Sequence, residues 1–290
     1  MVVIDTGRLK LQLEIMPVAS LLLHEEVIPE KANDLVLESR NWADLQNPII
    51  VDKNGMVLDG HHRAFVFREL GFNHILVCRI DYFNPAVQLR YWFRRLGRMR
   101  NEDSLKRLIA EMGGRLEQVE DAGALRSLLG KNRLQCGIQQ GRYFAAVSFQ
   151  RHMAEDAVNA YHLVERIQKR LIRSGKTVDY IPCQAVEEEN FCQGLRSDEM
   201  VIWTPQISKE MVVDAVNHNR RFAPKATRHL IPARPINVNV PITLFRGQAS
   251  LEEINERLAD FLKRKRLRRF GPGQVLNGRY YQEELYVFFD

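Results

Sequence analysis

Polar and apolar residues alternate through Arg8-Leu9-Lys10-Leu11-Gln12-Leu13-Glu14-Ile15-Met16, the two-residue period of a half-buried strand. Leu21 to Glu26 reads as a short connection, and Pro29 suits the first turn of a helix with Ala32, Leu35 and Val36 on one face. Pro48-Ile49-Ile50-Val51-Asp52 predicts a second strand, Asn54-Gly55 supplies the positive φ angles of a tight turn, and Met56-Val57-Leu58 returns as the partner strand. A helix then runs to about Leu70, with Gly71 as its left-handed cap, and Ile75 to Ile80 is the next strand. The order strand, helix, hairpin, helix, strand predicts a compact α+β unit over residues 1–83.

Further on, helical spacing covers 102–112 and 116–129, a strand pair turns at Gln140-Gly141 within 133–149, and a long amphipathic helix fills 154–173. Residues 207–218 predict another helix, Pro224 to Pro241 an extended chain, and Ser250-x-x-Glu253 a capping box opening a helix to about 264. The chain ends, at 273–289, as a hairpin with Asn277-Gly278 at its turn. Neither a repeat nor a low-complexity linker interrupts it, so a second lobe packed against the first is expected.

Composition changes this picture little. The 290 residues are 45% hydrophobic and 27% charged, as in ordinary globular proteins. There is no apolar run of about 18 residues that would span a membrane, and Met1 to Asp5 lacks the basic start and apolar core of a secretory signal. The four cysteines, at 78, 136, 183 and 192, form no C-x-x-C pair, so reduced cytoplasmic thiols are expected rather than a zinc site. The net charge of +6 suits an anionic ligand such as a nucleotide. Much of it lies in Lys263-Arg264-Lys265-Arg266-Leu267-Arg268-Arg269, which reads as a solvated helix end, because cations favour helix C-termini and no interleaved aromatics mark a nucleic-acid patch.

The chemistry concentrates in Asp59-Gly60-His61-His62-Arg63, where a strand hands over to a helix. P-loop, G-x-G-x-x-G and protein-kinase signatures are all absent. A helix N-terminus offers free N–H groups and the positive end of its dipole, Gly60 permits close backbone approach, and His62 and Arg63 add donors. Asp59 could hold Mg²⁺ or orient one of these donors. A simple N-cap explains Asp59 but not three basic residues placed against the dipole, so anion binding is the better account.

Strand, D-G-H-H-R, helix and L-G together resemble the nucleotide-binding motif of the ParB/sulfiredoxin superfamily. Chromosome-partitioning ParB proteins carry G-E-R-R-x-R-A at this point, where this chain has Gly60-His61-His62-Arg63-Ala64-Phe65-Val66. Sulfiredoxin carries G-C-H-R, and His61 stands in place of its reactive Cys. The match is close to the free L-serine kinases, which carry D-G-H-H-R or D-G-V-H-R. Two further stretches resemble that branch: His24-Glu25 before the first helix, and Pro224-Lys225-Ala226-Thr227-Arg228-His229, like the family's P-K-x-T-R-H. Trp92 lies about where the family places a Trp that helps to hold the amino acid; taken alone it would read as a core aromatic.

The resemblance implies a ParB/sulfiredoxin-like nucleotide-binding domain over 1–96 and a packed second α/β lobe over 97–290, with the active site in the cleft between them. It implies transfer of a phosphoryl group from ATP or ADP to the hydroxyl of L-serine, with Mg²⁺ as cofactor. Glu25 would be the general base, with Glu26 as its rival, and Asp59 a catalytic residue and candidate Mg²⁺ ligand. Gly60, His61, His62 and Arg63 would hold the nucleotide phosphates, and Trp92, Lys225, Thr227, Arg228 and His229 the substrate. A different reading is a ParB-like nucleotide-dependent DNA-binding regulator, which would need a helix-turn-helix in the helical patterns of residues 100–135. Nucleic acid is otherwise not the expected partner, since a DNA clamp has no use for Glu25 or the 225–229 cluster.

Overall fold

The computed structural model describes residues 2–99, 103–131, 135–183, 195–247 and 249–290; Cys192 lies outside them. In chain order the elements are β1 (Val2–Asp5), β2 (Lys10–Pro17), β3 (Leu22–Leu23), α1 (Pro29–Ser39), β4 (Asp44–Leu45), β5 (Ile49–Val51), β6 (Met56–Asp59), α2 (His61–Glu69) and β7 (His74–Arg79). There follow β8 (Gln88–Arg90), β9 (Trp92–Gly97), α3 (Asp103–Glu111), β10 (Gly114–Val119), α4 (Ala122–Lys131), β11 (Cys136–Gln140), β12 (Tyr143–Phe149), α5 (Ala157–Arg173), β13 (Thr177–Pro182) and β14 (Met200–Trp203). The last stretch holds α6 (Lys209–Asn217), β15 (Arg228–Leu230), β16 (Ala233–Ile236), β17 (Val240–Pro241), α7 (Leu251–Lys263), β18 (Arg266–Phe270), β19 (Gln274–Leu276), β20 (Arg279–Tyr281) and β21 (Glu284–Phe289).

The chain divides into two compact units, Met1–Gln88 with His229–Asp290, and Leu89–Arg228. The sequence reading instead set a boundary after 96 and ran the second lobe to 290. The C-terminal segment belongs with the first unit because its side chains bond there. Asn255 on α7 accepts from the Ile15 N–H at 2.8 Å and donates to the Ile15 carbonyl at 2.9 Å, clamping β2.

In the first unit the sheet order is β1-β2-β7-β5-β6-β3. Alternation in β2 buries Leu11, Leu13 and Ile15, while β5 and β7 are apolar on both faces. Val66 and Phe67 of α2 are fully buried as well. Leu22–Leu23, expected as connection, instead pairs parallel with β6, which satisfies backbone groups beside an apolar sheet edge.

The second unit has the sheet order β10-β12-β11-β14-β9-β13. Leu96, Met200 and Ile202 pack on one face with Leu105, Ile109, Leu163 and Ile167, and Phe93, Val201 and Trp203 on the other with Leu125 and Leu129. The helix expected over 116–129 is two elements. Residues 114–119 pair with β12, and Asp121 Oδ1 accepts the Ala124 N–H at 2.7 Å, so α4 begins only after this cap. Strand β10 thus separates α3 from α4, an arrangement unlike a helix-turn-helix.

Two C-terminal expectations also change. Helix α7 ends at Lys263, and Arg266–Phe270 of the basic run is a strand paired with β21, its side chains largely exposed. The hairpin at Asn277-Gly278 closes between β19 and β20 only, with both turn residues at positive φ. Apolar β21 leaves that hairpin to pair with β16 and β18, where Val287 and Leu285 are buried.

Candidate active site

Strand β6 ends at Asp59, and the chain enters α2 through Gly60 at φ 101°. Only glycine suits this turn. A Cβ here would lie 2.6 Å from Ile49 Cγ2 and 3.0 Å from an Arg63 guanidinium nitrogen. Gly60→Ala is therefore expected to lower the stability by about 3 kcal/mol, combining left-handed strain with overpacking. Urea unfolding measures this, and an unchanged midpoint would mean that the turn relaxes freely.

Asp59 Oδ2 accepts from Arg234 Nη1 at 3.0 Å and from Arg63 Nη2 at 3.4 Å. Arg234 also pairs with Glu283. Burial pushes the Asp59 carboxyl up, but Arg234, Arg63 and Arg279 outweigh it and hold the group well below the usual carboxylate range. Arg63 Nη1 donates to the carbonyls of Asn47 at 2.6 Å and Pro48 at 3.0 Å. His62 Nε2 accepts the Ile28 N–H at 3.3 Å, tying the segment before α1 to the start of α2.

That segment carries His24-Glu25-Glu26. Glu25 is 8% exposed, while Glu26 stands in solvent. His24 is fully enclosed, with Nδ1 at 3.2 Å from His61 Nε2 and its ring edge-on to His229 at 5.3 Å. His229 in turn places Nδ1 at 3.1 Å from the Leu58 carbonyl and Nε2 at 3.0 Å from Tyr82 Oη. The first unit thus brings His24, His61 and His229 into ring contact and pairs Asp59 with Arg63 at the same strand-to-helix turn, while Glu25 is buried next to His24 in sequence.

Burial, then the neighbouring His61 and His229, hold His24 well below the ordinary imidazole value. The unfolded chain takes up this proton near the ordinary value of about 6.5 and the folded chain does not, so the His24 contribution is intact above that pH and shrinks as pH falls below it. Asp59 acts in a lower window: its contribution is present above the ordinary value of about 3.9 and is lost as pH falls toward its depressed folded value. Stability measured by urea unfolding is expected to fall below about pH 6.5 by up to about 1.4 kcal/mol per pH unit from His24 alone. His24→Asn should remove that slope; a slope that persists would assign it to other groups.

In the second unit Trp92 is half-buried on β9, with its indole N–H donating to the Thr227 carbonyl at 3.0 Å. Lys225 Nζ sits 5.0 Å and the Arg228 guanidinium 5.3 Å from the centre of its ring, both at cation–π range. Trp92, Lys225, Thr227 and Arg228 therefore form one cluster, although more than a hundred positions separate the Trp from the rest. Lys225 adopts φ 62°, a strained conformation for a side chain of its size. Arg94, 2% exposed, holds it there by donating to the carbonyls of Lys225 at 3.1 Å, Pro224 at 3.2 Å and Trp92 at 2.9 Å.

Sequence reasoning gave no role to Arg94, Arg234 or Tyr82. Arg94 alone left a signal, two positions after Trp92 on a strand and so on the same face. Arg234 and Tyr82 act through partners far off in sequence, which no local pattern reports.

No family model matches the chain. An ATP-dependent L-serine kinase of Staphylothermus marinus is 26% identical over 79% of this chain and 89% of its own length. A ParB-like protein of Sulfolobus acidocaldarius is 29% identical over 76% of this chain and 90% of its own. Among solved structures, a free serine kinase mutant in complex with AMP superposes with a TM-score of 0.67 at 17% identity, covering 81% of this chain and 94% of that one. The resemblance carried by Asp59-Gly60-His61-His62-Arg63 is borne out, for the chain is similar to an L-serine kinase across 79% of its length and has the free serine kinase fold.

Proposed function

We propose that this protein transfers the terminal phosphoryl group of ATP to the hydroxyl of free L-serine, giving O-phospho-L-serine and ADP. The observation that carries this reading is the similarity to ATP-dependent L-serine kinases along most of the chain, with D-G-H-H-R standing at a strand-to-helix turn. Serine Oγ forms the new bond to phosphorus as the bond from that phosphorus to the bridging oxygen of ADP breaks. Glu25 takes the hydroxyl proton, because an alcohol attacks poorly while it keeps it. Burial of Glu25 and exposure of Glu26 favour the first of the pair.

Gly60 and the first-turn N–H groups of α2 hold the phosphates. Arg63 adds positive charge beside them while its Nη1 stays on the Asn47 and Pro48 carbonyls. Trp92, Lys225, Thr227, Arg228 and His229 hold the amino acid, the cations facing its carboxylate. Asp59 has the chemistry that Mg²⁺ requires, a hard anionic oxygen on a side chain 38% exposed, and both guanidinium contacts fall on Oδ2, leaving Oδ1 as the oxygen it would offer. Mg²⁺ held there would neutralise charge on the phosphates.

The test is incubation of the purified protein with Mg²⁺, L-serine and either ATP or ADP, read by phosphorus NMR. A new phosphomonoester signal matching O-phosphoserine, with ADP formed from ATP, is the expected result. Absence of the signal with both donors overturns the proposal.

A further inference from the structure

Arg234 joins two acidic side chains that lie far apart in sequence. It stands on β16 between buried Ala233 and Pro235, and β16 runs parallel to β21 with Arg234 opposite Leu285. The Glu284 N–H donates to the Pro232 carbonyl at 3.0 Å, which fixes Glu283 just ahead of β21. The Glu283 carboxylate pairs with Arg234 Nε, and Arg234 Nη1 donates to Asp59 Oδ2 at 3.0 Å. The side chains of Arg234 and Glu283 are only 12% and 15% exposed. Taking such charges out of water is expensive, and a buried ion pair gives little net stability for it. What the pairing does supply is geometry. Arg63 reaches the same Oδ2 at 3.4 Å, with its Nη1 committed to the Asn47 and Pro48 carbonyls. Arg234 therefore makes the shorter of the two contacts that fix the Asp59 carboxylate, and both fall on Oδ2.

We infer that Arg234, braced by Glu283, is a positioning residue that holds the plane of the Asp59 carboxylate, so that Oδ1 is presented to the Mg²⁺ accompanying the nucleotide. This rests on the nucleotide and Mg²⁺ part of the reading above, and not on the identity of the phosphoryl acceptor. Mg²⁺ demands near-octahedral geometry and takes one or two carboxylates beside phosphates and water, so the orientation of a single carboxylate matters. Carboxylates that ligate metals are themselves held by outer hydrogen bonds, and losing such a bond weakens the metal. Glu283 also offsets the positive charge that Arg234 brings close to a cation site. Lysine is no substitute at this position, because an ammonium lacks the planar fork that meets two carboxylates from one fixed side chain.

Titration calorimetry with ADP, in Mg²⁺ and again in EDTA, measures how much the metal adds to nucleotide affinity. Arg234→Lys keeps the charge and removes the fork, so the change reads orientation and not electrostatic repulsion. The gain that Mg²⁺ confers is expected to fall by about 10–100-fold, the usual effect of losing an outer hydrogen bond to a metal ligand. Affinity for metal-free ADP should change little, whereas loss of a merely structural residue would weaken both. Asp59→Asn should remove most of the gain. An undiminished gain in Arg234→Lys or in Asp59→Asn, an equal loss of metal-free ADP affinity, or a wild-type protein to which Mg²⁺ adds nothing overturns the inference. If Arg234→Lys does not fold, Glu283→Ala and Glu283→Gln decide. Both remove the charge, but glutamine keeps an oxygen to accept the Arg234 Nε–H, so the gain should be smaller in Glu283→Ala than in Glu283→Gln; equal gains overturn it. A wild-type protein that phosphorylates no serine would end the kinase reading and leave these titrations to decide the inference. Serine phosphorylation without any Mg²⁺ gain in ADP affinity would keep the kinase and end the inference.

Discussion

Glu25→Gln is expected to lower kcat for serine phosphorylation by about 10²–10⁴, the usual worth of general-base catalysis. The substitution keeps the shape of a side chain that is only 8% exposed and removes its capacity to take a proton. Binding of serine and nucleotide should change little, because the proton moves only as the transition state forms. Glu26→Gln is the internal control. Its side chain lies in solvent, and its kcat should stay near wild type. A large loss at Glu26 alone would keep the kinase and move the base by one position. No loss at either residue, in a protein that still phosphorylates serine, would leave the rate to positioning and electrostatics.

Arg63→Ala should act first on stability. Its Nη1 donates to the carbonyls of Asn47 and Pro48, joining the turn before β5 to α2, and charge-assisted bonds of this kind contribute about 1.5–3 kcal/mol each. The contact to Asp59 adds little, since that carboxylate is 38% exposed and stays paired with Arg234. The expected loss is about 3 kcal/mol, a fall in melting temperature of roughly 6–12 °C. Nucleotide affinity, read by titration calorimetry below the transition, should weaken as well, because positive charge beside the phosphates is lost. A protein with weakened nucleotide binding and an unchanged melting temperature would show that the guanidinium serves the phosphate directly and that its carbonyl bonds carry no load.

Some elements were legible because their signals are local. Alternation in residues 8–16, a turn at Asn54-Gly55 in which Gly55 but not Asn54 takes positive φ, the left-handed Gly71 and the Ser250 cap, which accepts the Glu253 N–H at 3.2 Å, each act within a few residues of chain. Strand β14 was not legible. Met200-Val201-Ile202-Trp203 is buried on both faces and has no alternation to display. Leu116-Glu117-Gln118-Val119 consists largely of helix formers, yet it pairs with β12, because an available sheet edge outweighs a weak propensity.

The candidate site divides the same way. Asp59-Gly60-His61-His62-Arg63 was readable because a strand-to-helix turn with basic residues against the helix dipole is unusual within five positions of chain. The sequence by itself therefore determined the glycine turn between β6 and α2, the acidic pair before α1 and the kinase resemblance. Tertiary structure decided which donors those residues keep for themselves. It placed Arg63 on backbone carbonyls, enclosed Glu25 but not Glu26, set Lys225 and Arg228 over Trp92, and brought the rings of His24, His61 and His229 together, with His229 Nδ1 at the Leu58 carbonyl. The physical reason is that a buried hydrogen bond or a charge pair depends on distance in space, which a linear pattern reports only when both partners lie within the same turn of chain.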